Sequence, residues 1–410
     1  MITRRAAAGV LAGVAATAAG LRPGRAADKT VRVGLNLSFT GGDAESANRM
    51  KNGAVMAFDE ANAAAGPGDP KVDLVLLDDA TAAAGQYDPA QAATNARRMA
   101  SDRAMVAAIG PQMSGAGKAM VPILSHAGLA IISPSATNPD ITDPKFAKLY
   151  SPAGKTVFFR TVTTDAYQGP NMANFMFDTL HAKSVFVLDD GGAYGVGLAD
   201  AFQAQAARRG MAVAGRDRLD PKAADYAAVL TRIKSLAPDA LYFGGVLLAG
   251  VKLAKQAHEI VPGMIKAAGD GLYGPEMLTA VGFPAAEGWY ATIASPHVLD
   301  DPKLAAWIAR YAARFGSQPD GFTITTYDSA LVILDAIRRV AASGRPVTRD
   351  AVRDAVAGAQ METLQGEVAF DQHGDLRNRV ISVFQIRKDD AFPIDDMIHQ
   401  FKYAGVAPAA

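Results

Sequence analysis

The chain has 410 residues, half of them apolar and a fifth charged, with 41 Lys plus Arg against 41 Asp plus Glu. Its length exceeds what one hydrophobic core usually supports, so about two domains are expected, and no excess of basic charge points to nucleic acid as a partner. There is no cysteine, which rules out a disulfide framework and leaves no thiol to carry a lipid anchor.

The first 27 residues read as an export signal. Thr3-Arg4-Arg5 precedes an Ala/Gly/Val/Leu run from Ala6 to Leu21, and small residues follow at Ala26 and Ala27. The adjacent arginines suggest the twin-arginine route. The apolar run is short for a membrane span, which needs roughly 20 residues. Cleavage after this segment removes four arginines and no acid, leaving an acidic mature protein.

From Val31 onward strand-like and helix-like patterns alternate. Val31–Leu37, Val72–Leu77, Met105–Ile109 and Leu129–Ile132 read as strands, and residues 46–64, 87–100 and 116–126 as helices. Such alternation predicts βαβ units around a parallel sheet. Val72–Leu77 is nearly all apolar, as expected of a strand buried on both faces.

A second run begins near Thr156, with strands at 156–162, 184–188, 211–214, 240–243 and 264–268 and helices at 171–181, 198–209 and 224–236. The remainder is mostly helical (302–315, 323–342 and 349–356), and two late strands lie at 367–370 and 380–386. These are too few strands for a third sheet. The late helices are therefore expected to return to the first unit, giving two lobes joined by several crossings and hinged about a cleft, with Gly374-Asp375 as one candidate crossing.

Two loops carry the functional signal: Gly110-Pro111-Gln112-Met113-Ser114-Gly115 and Ser133-Pro134-Ser135-Ala136-Thr137-Asn138-Pro139. Each follows an apolar run of strand length. Hydroxyls at the carboxyl ends of neighbouring parallel strands point into the crevice where open α/β sheets bind ligands, and suit an anionic head group. No nucleophile–base pair, Walker-type loop or metal-ligand spacing accompanies them, so the pattern indicates binding rather than chemistry, with no cofactor and no metal. Gly269-Asp270-Gly271-Leu272-Tyr273-Gly274 fits G-x-G-x-x-G but sits at the end of a lobe rather than in a first βα turn. Asp270 is then either a turn acid or an anion at the mouth of the second lobe. Tyr194, between a strand and a helix, either packs on that helix or covers a ligand with its ring while its hydroxyl stays in water.

The order of segments resembles the periplasmic substrate-binding proteins of branched-chain amino acid ABC transporters, the Leu/Ile/Val-binding type. The resemblance runs from about Thr30 to Lys388. It rests on Gly53-Ala54, Leu77-Asp78-Asp79-Ala80, Ile109-Gly110 with Ser114, Ser133-Pro134-Ser135-Ala136-Thr137, Asp165 with Gln168-Gly169-Pro170, Tyr194-Gly195, Tyr242–Gly245, Thr325-Thr326-Tyr327 and Phe370-Asp371.

The implied fold is that of type I periplasmic binding proteins: α/β, two Rossmann-like lobes with parallel central sheets around a ligand cleft. Residues 28–161 plus 293–376 form lobe I, 162–292 plus 377–400 form lobe II, and 401–410 form a tail. The resemblance implies that Ser114 and Thr137 hold the ligand carboxylate, and that the Ser135 carbonyl and Asp270 hold its ammonium. Tyr194 closes over the ligand, and Ala136 and Val246 complete the lining.

Ser46 and Val246 stand where family members for aliphatic amino acids often carry tyrosines, and residues 81–87 add length near the cleft rim. The resemblance implies an amino acid of branched-chain or hydrophobic type as the ligand, and these departures put its identity in question. The alternative is a non-amino-acid solute such as an amide, urea or aromatic carboxylate. The implied partner is a membrane permease, and the receptor is a monomer in the periplasm.

Overall fold

The computed structural model describes residues 30–410; the expected export signal at 1–27 lies outside the described residues. The chain builds two α/β units in succession. The first lays down β1 (Thr30–Leu37), α1 (Ala44–Ala64), β2 (Lys71–Asp78), α2 (Pro89–Ser101), β3 (Met105–Ile109), α3 (Ser114–Ala127), β4 (Ala130–Ser133) and β5 (Phe158–Arg160). The second comprises α4 (Asp165–Asp178), β6 (Ser184–Asp189), α5 (Ala193–Arg208), β7 (Ala212–Arg218), α6 (Ala227–Leu236), β8 (Ala240–Gly244), α7 (Leu247–Ile260), β9 (Ile265–Ala268) and β10 (Tyr290–Ile293). Helices α8 (Ala305–Phe315), α9 (Gly321–Ala342) and α10 (Arg349–Ala357) follow, then β11 (Ser382–Ile386) and β12 (Phe401–Val406).

The first sheet is parallel throughout, in the order β2-β1-β3-β4-β5. The second runs β12-β11-β10-β9-β8-β6-β7, parallel except for β11 and β12, which join its edge antiparallel. Central strands are buried along their whole length: all five residues of β3 and of β8 are buried, as in a sheet covered by helices on both faces. Helix α9 packs along α1, so the late helices return to the first unit as expected. The chain passes between the units after β5, after β10 and again before β11.

Several expectations need correction. The 156–162 segment, expected to open the second run, supplies the edge strand of the first sheet, because Phe158–Arg160 pairs with Ile131–Ser133. Val72–Leu77 is a sheet edge rather than a strand covered on both faces, and Leu76 is 48% exposed. Gly374-Asp375 is not a crossing. The Gly374 carbonyl accepts Arg160 N–H at 3.1 Å and Asp375 pairs with the Arg160 guanidinium at 2.8 Å, which fixes this turn to the first unit. Residues 401–410 are not merely a tail, since β12 pairs with β11 and its first residue Phe401 is buried. The late strand near 367 pairs with Gln360–Thr363 as a small hairpin. The stretch 81–87 folds as another, with Ala80-Thr81 against Gln86-Tyr87. Among the described residues no helix is long and apolar enough to cross a membrane.

Candidate ligand-binding site

The carboxyl ends of both parallel sheets face a common cleft. The loop after β1 brings Asp43 and α1 brings Ser46; the loop after β3 brings Gln112, Met113 and Ser114, and the loop after β4 brings Ser135. From the second unit come Tyr194 after β6, Val246 and Leu247 after β8, and Asp270, Gly271 and Tyr273 after β9. Phe322 of α9 closes one wall. The cavity left between them is small, about 40 Å³. Open α/β sheets bind ligands at strand carboxyl ends because loops and helix N-termini there present free polar groups.

The first-lobe loops are held rigidly. Arg160, fully buried on β5, donates to the Ala136 carbonyl at 2.9 Å, the Asn138 carbonyl at 3.1 Å and Thr142 Oγ1 at 2.7 Å. Ser135 Oγ donates to the Gln112 carbonyl at 2.8 Å, and Asn138 N–H donates to Ser114 Oγ at 3.2 Å, which ties the two loops together. Gly110, with φ of 111°, passes so close to β1 that a Cβ would lie 2.2 Å from the Asn36 carbonyl. Glycine is required there.

In the second lobe Asp190 performs the equivalent task, accepting Gly192 N–H and Val246 N–H, both at 2.9 Å. The Asp270 N–H donates to Gln168 Oε1 at 2.8 Å, and Thr292 Oγ1 donates to the same oxygen at 2.6 Å. The Tyr194 hydroxyl accepts Gly271 N–H at 3.0 Å. A Cβ on Gly271 would fall 2.2 Å from the Gly245 carbonyl, so the glycines of the G-x-G-x-x-G stretch serve close packing of this loop.

The electrostatics concentrate on two acids. Asp270 is buried and its Oδ2 has no hydrogen-bond partner. Burial pushes its carboxyl up to about 7, while Tyr194 and Gln168 pull the other way. Asp165, at the start of α4, is driven well above the carboxylate range by burial and then by the charge of Asp270. Its Oδ1 accepts Gln168 Nε2–H at 3.0 Å. Two buried carboxylates sharing one glutamine do not both ionise near neutral pH, so Asp165 keeps its proton and Asp270 carries the charge.

Of the residues singled out in the sequence, the structure brings Ser114, Ser135, Tyr194, Val246 and Asp270 onto one cavity. Ala136 and Thr137 lie behind it. The Ala136 carbonyl is taken by Arg160, and Thr137 is fully buried with its hydroxyl beside Asp165 and in no well-formed hydrogen bond. The Tyr194 hydroxyl is not in water but buried against Gly271.

Asp43, Gln112, Leu247, Tyr273 and Phe322 were missed. Phe322 lies more than 180 residues from the two hydroxyl loops, and nothing local marks it. Gln112 and Met113 stood inside a motif already singled out. Tyr273 and Phe322, which meet edge to face at 6.0 Å, bring aromatic rings to the cavity that Ser46 and Val246 also line.

The lobes are closed over this cavity. Asn138 Nδ2 of the first donates to the Ala193 carbonyl of the second at 2.8 Å. Ser46 N–H donates to Glu276 Oε1 at 3.0 Å, and Thr279 Oγ1 donates to Glu45 Oε2 at 3.1 Å.

Comparison with known proteins agrees with this architecture. The family model described as "Periplasmic binding protein" matches residues 30–391. The chain belongs to the periplasmic binding protein family. Among relatives of this family, it is 31% identical over 356 residues to the Leu/Ile/Val-binding protein BraC3 of Rhizobium johnstonii, covering 87% of this chain and 91% of that one. It is 29% identical over 362 residues to the leucine-, isoleucine-, valine-, threonine-, and alanine-binding protein of Pseudomonas aeruginosa, covering 88% and 91%. The crystal structure of the leucine binding protein LivK from Thermotoga maritima superposes with a TM-score of 0.78 at 25% identity, covering 92% of this chain and 98% of that one. The fold is therefore that of type I periplasmic binding proteins, and the role is solute binding for an ABC transporter.

Proposed function

We propose that this receptor closes over an amino acid of the branched-chain or hydrophobic type and delivers it to a membrane permease. The observation that carries the reading is the polarity across the head-group end of the cleft. Ser114 and the Ser135 loop present neutral donors and carbonyls from one lobe, and Asp270 presents from the other a buried carboxylate whose Oδ2 has no hydrogen-bond partner. A carboxylate fits the first set and an ammonium fits the second, so a zwitterion satisfies both. Val246, Leu247, Tyr273 and Phe322 offer apolar surface to the side chain. A carboxylate ligand without an amine brings Asp270 no counter-charge, so the acid must take up a proton instead, whereas the ammonium of an amino acid pairs with it directly and fits the site better than an aromatic acid does. The names of the relatives point the same way.

The mature receptor acts as a monomer, free in the periplasm after removal of residues 1–27. A thermal-shift screen of amino acids, amides, ureas and aromatic acids tests the assignment. Stabilisation by leucine, isoleucine or valine is the expected result. Stabilisation by amides or aromatic acids with none by any amino acid overturns it.

A further inference from the structure

The distal end of the cavity has a feature that an aliphatic side chain does not use. Asp43 occupies the N-cap position of α1, where a carboxylate ordinarily accepts a backbone N–H of the first helical turn. It makes no such bond. The N–H it would take, that of Ser46, is given instead to Glu276 Oε1 from the opposite lobe at 3.0 Å. Glu276 thus caps the helix across the cleft, and the Asp43 carboxylate is released to the cavity that Asp43 and Ser46 both line. Asp43 is only 1% exposed, and its Oδ2 is buried with no hydrogen-bond partner.

A buried acid without a partner is costly unless something brings a donor to it. Its surroundings favour a charged donor. Asp79 and Asp190 both press on Asp43 electrostatically. Glu276 leaves its own Oε2 buried and unpartnered, near Leu247: the place a Gly274 side chain would take lies 3.0 Å from that oxygen and 3.2 Å from a Leu247 methyl. Arg49, the buried cation of the same helix, is held elsewhere by the Gln318 carbonyl, Glu45 and Asp395. Burial holds the Asp43 carboxyl up at about 7 and Glu276 at about 8, so a cation brought to them meets groups ready to ionise near neutral pH.

We propose that Asp43 recognises the far end of a further class of ligand, amino acids whose aliphatic stem ends in an ammonium or guanidinium group. The stem lies on the same apolar walls that suit a branched-chain ligand, and the cation reaches the Asp43 carboxylate, as long basic side chains do when their stems are buried and their heads are paired. This rests on the amino-acid reading of the head-group end.

Titration calorimetry at pH 8 with leucine, norleucine, lysine, ornithine, arginine and citrulline separates the two. Lysine or ornithine is expected to bind at least about tenfold more tightly than norleucine, and arginine more tightly than its neutral ureido counterpart citrulline, in line with a charge-assisted contact. In Asp43→Asn the lysine-to-norleucine ratio is expected to collapse to about one or below, with the circular dichroism spectrum unchanged. The wild-type ratios decide the matter even if that variant folds poorly. Leucine binding without lysine or arginine binding overturns the Asp43 assignment and leaves the amino-acid reading standing. Equal binding of arginine and citrulline overturns the cation. Failure of every amino acid to bind overturns both.

Discussion

The two ends of the cleft are built by opposite means. At the head-group end each group is fixed by its own lobe: Arg160 grips the carbonyls of the Ser135 loop, and Gln168 holds the Asp270 backbone. At the distal end Asp43, Leu247, Tyr273 and Phe322 come from segments far apart in the chain, and the wall they form is completed by bonds between lobes, Ser46 to Glu276 and Thr279 to Glu45. The groups of the head-group end are therefore each preorganised within a lobe, with the Asn138–Ala193 bond joining the lobes beside them, whereas the distal wall is itself held together by bonds between lobes. Changes at the first should weaken every amino acid alike, and changes at the second should alter which one is preferred. A preorganised site of this kind costs little ordering when the ligand arrives.

The largest effect that tests this division is expected from Asp270→Asn. Removing one partner of a buried ion pair costs about 3–5 kcal/mol, which corresponds to at least a hundredfold loss of affinity. Titration calorimetry should show the loss for all amino-acid ligands by a similar factor. A loss confined to one side-chain class would place Asp270 at the wrong end.

The next largest effect is on pH. Asp270 must be ionised to receive an ammonium, and its carboxyl is held up at about 7. Lowering the pH through that value protonates it, so binding must expel a proton and weakens about tenfold per pH unit below 7. From pH 8 to pH 5.5 the affinity should fall about thirtyfold. The same raised values govern stability in the opposite sense. Asp43, Asp270 and Glu276 all bind protons more tightly when folded than when unfolded. The ligand-free fold therefore keeps their full contribution below about pH 4 and loses it as pH rises through 7 to 8. Affinity rising with pH while the ligand-free melting temperature falls is the expected pairing.

The same contrast explains what the sequence disclosed. The head-group end could be read because its residues follow apolar strands in recurrent short loops, and a hydroxyl at a strand's carboxyl end has few places to point. The alternation of periods likewise announced two parallel sheets. Edge and centre could not be told apart from composition, since the apolar run 72–77 pairs on one side only. Phe322 and Tyr273 escaped notice because an aromatic in a helix or turn reads as core until a neighbouring lobe is placed against it. Asp43 was not singled out, because an acid just before a helix is ordinary in a sequence, and only the arrival of Glu276 from the other lobe frees it.

A smaller effect is expected from Ser114→Ala. Its hydroxyl lines the cavity and also accepts the Asn138 N–H, so the substitution removes one donor to the ligand carboxylate and loosens the bond between the loops. A hydrogen bond to a charged group contributes about 1.5–3 kcal/mol, so affinity should drop by at least about tenfold, again by the same factor for every amino acid. Unequal losses across leucine and valine would show that the loop also senses the side chain.

The smallest effect is the most diagnostic for how the head-group end holds a single charge. Asp165 sits beside Asp270, its Oδ1 accepts a Gln168 N–H at 3.0 Å, and burial with the adjacent charge keeps its proton in place. A protonated carboxyl and a carboxamide have nearly the same shape and the same neutral charge. Asp165→Asn should therefore change affinity by less than about threefold, because replacing one neutral hydrogen-bonding group by another of equal shape is close to neutral. The break near pH 7 should survive, since Asp270 carries it. If the substitution instead removes the break, the charge resides on Asp165. The ammonium site would then lie one layer deeper, against Thr137, whose buried hydroxyl and unfilled bonding already mark that side of the loop.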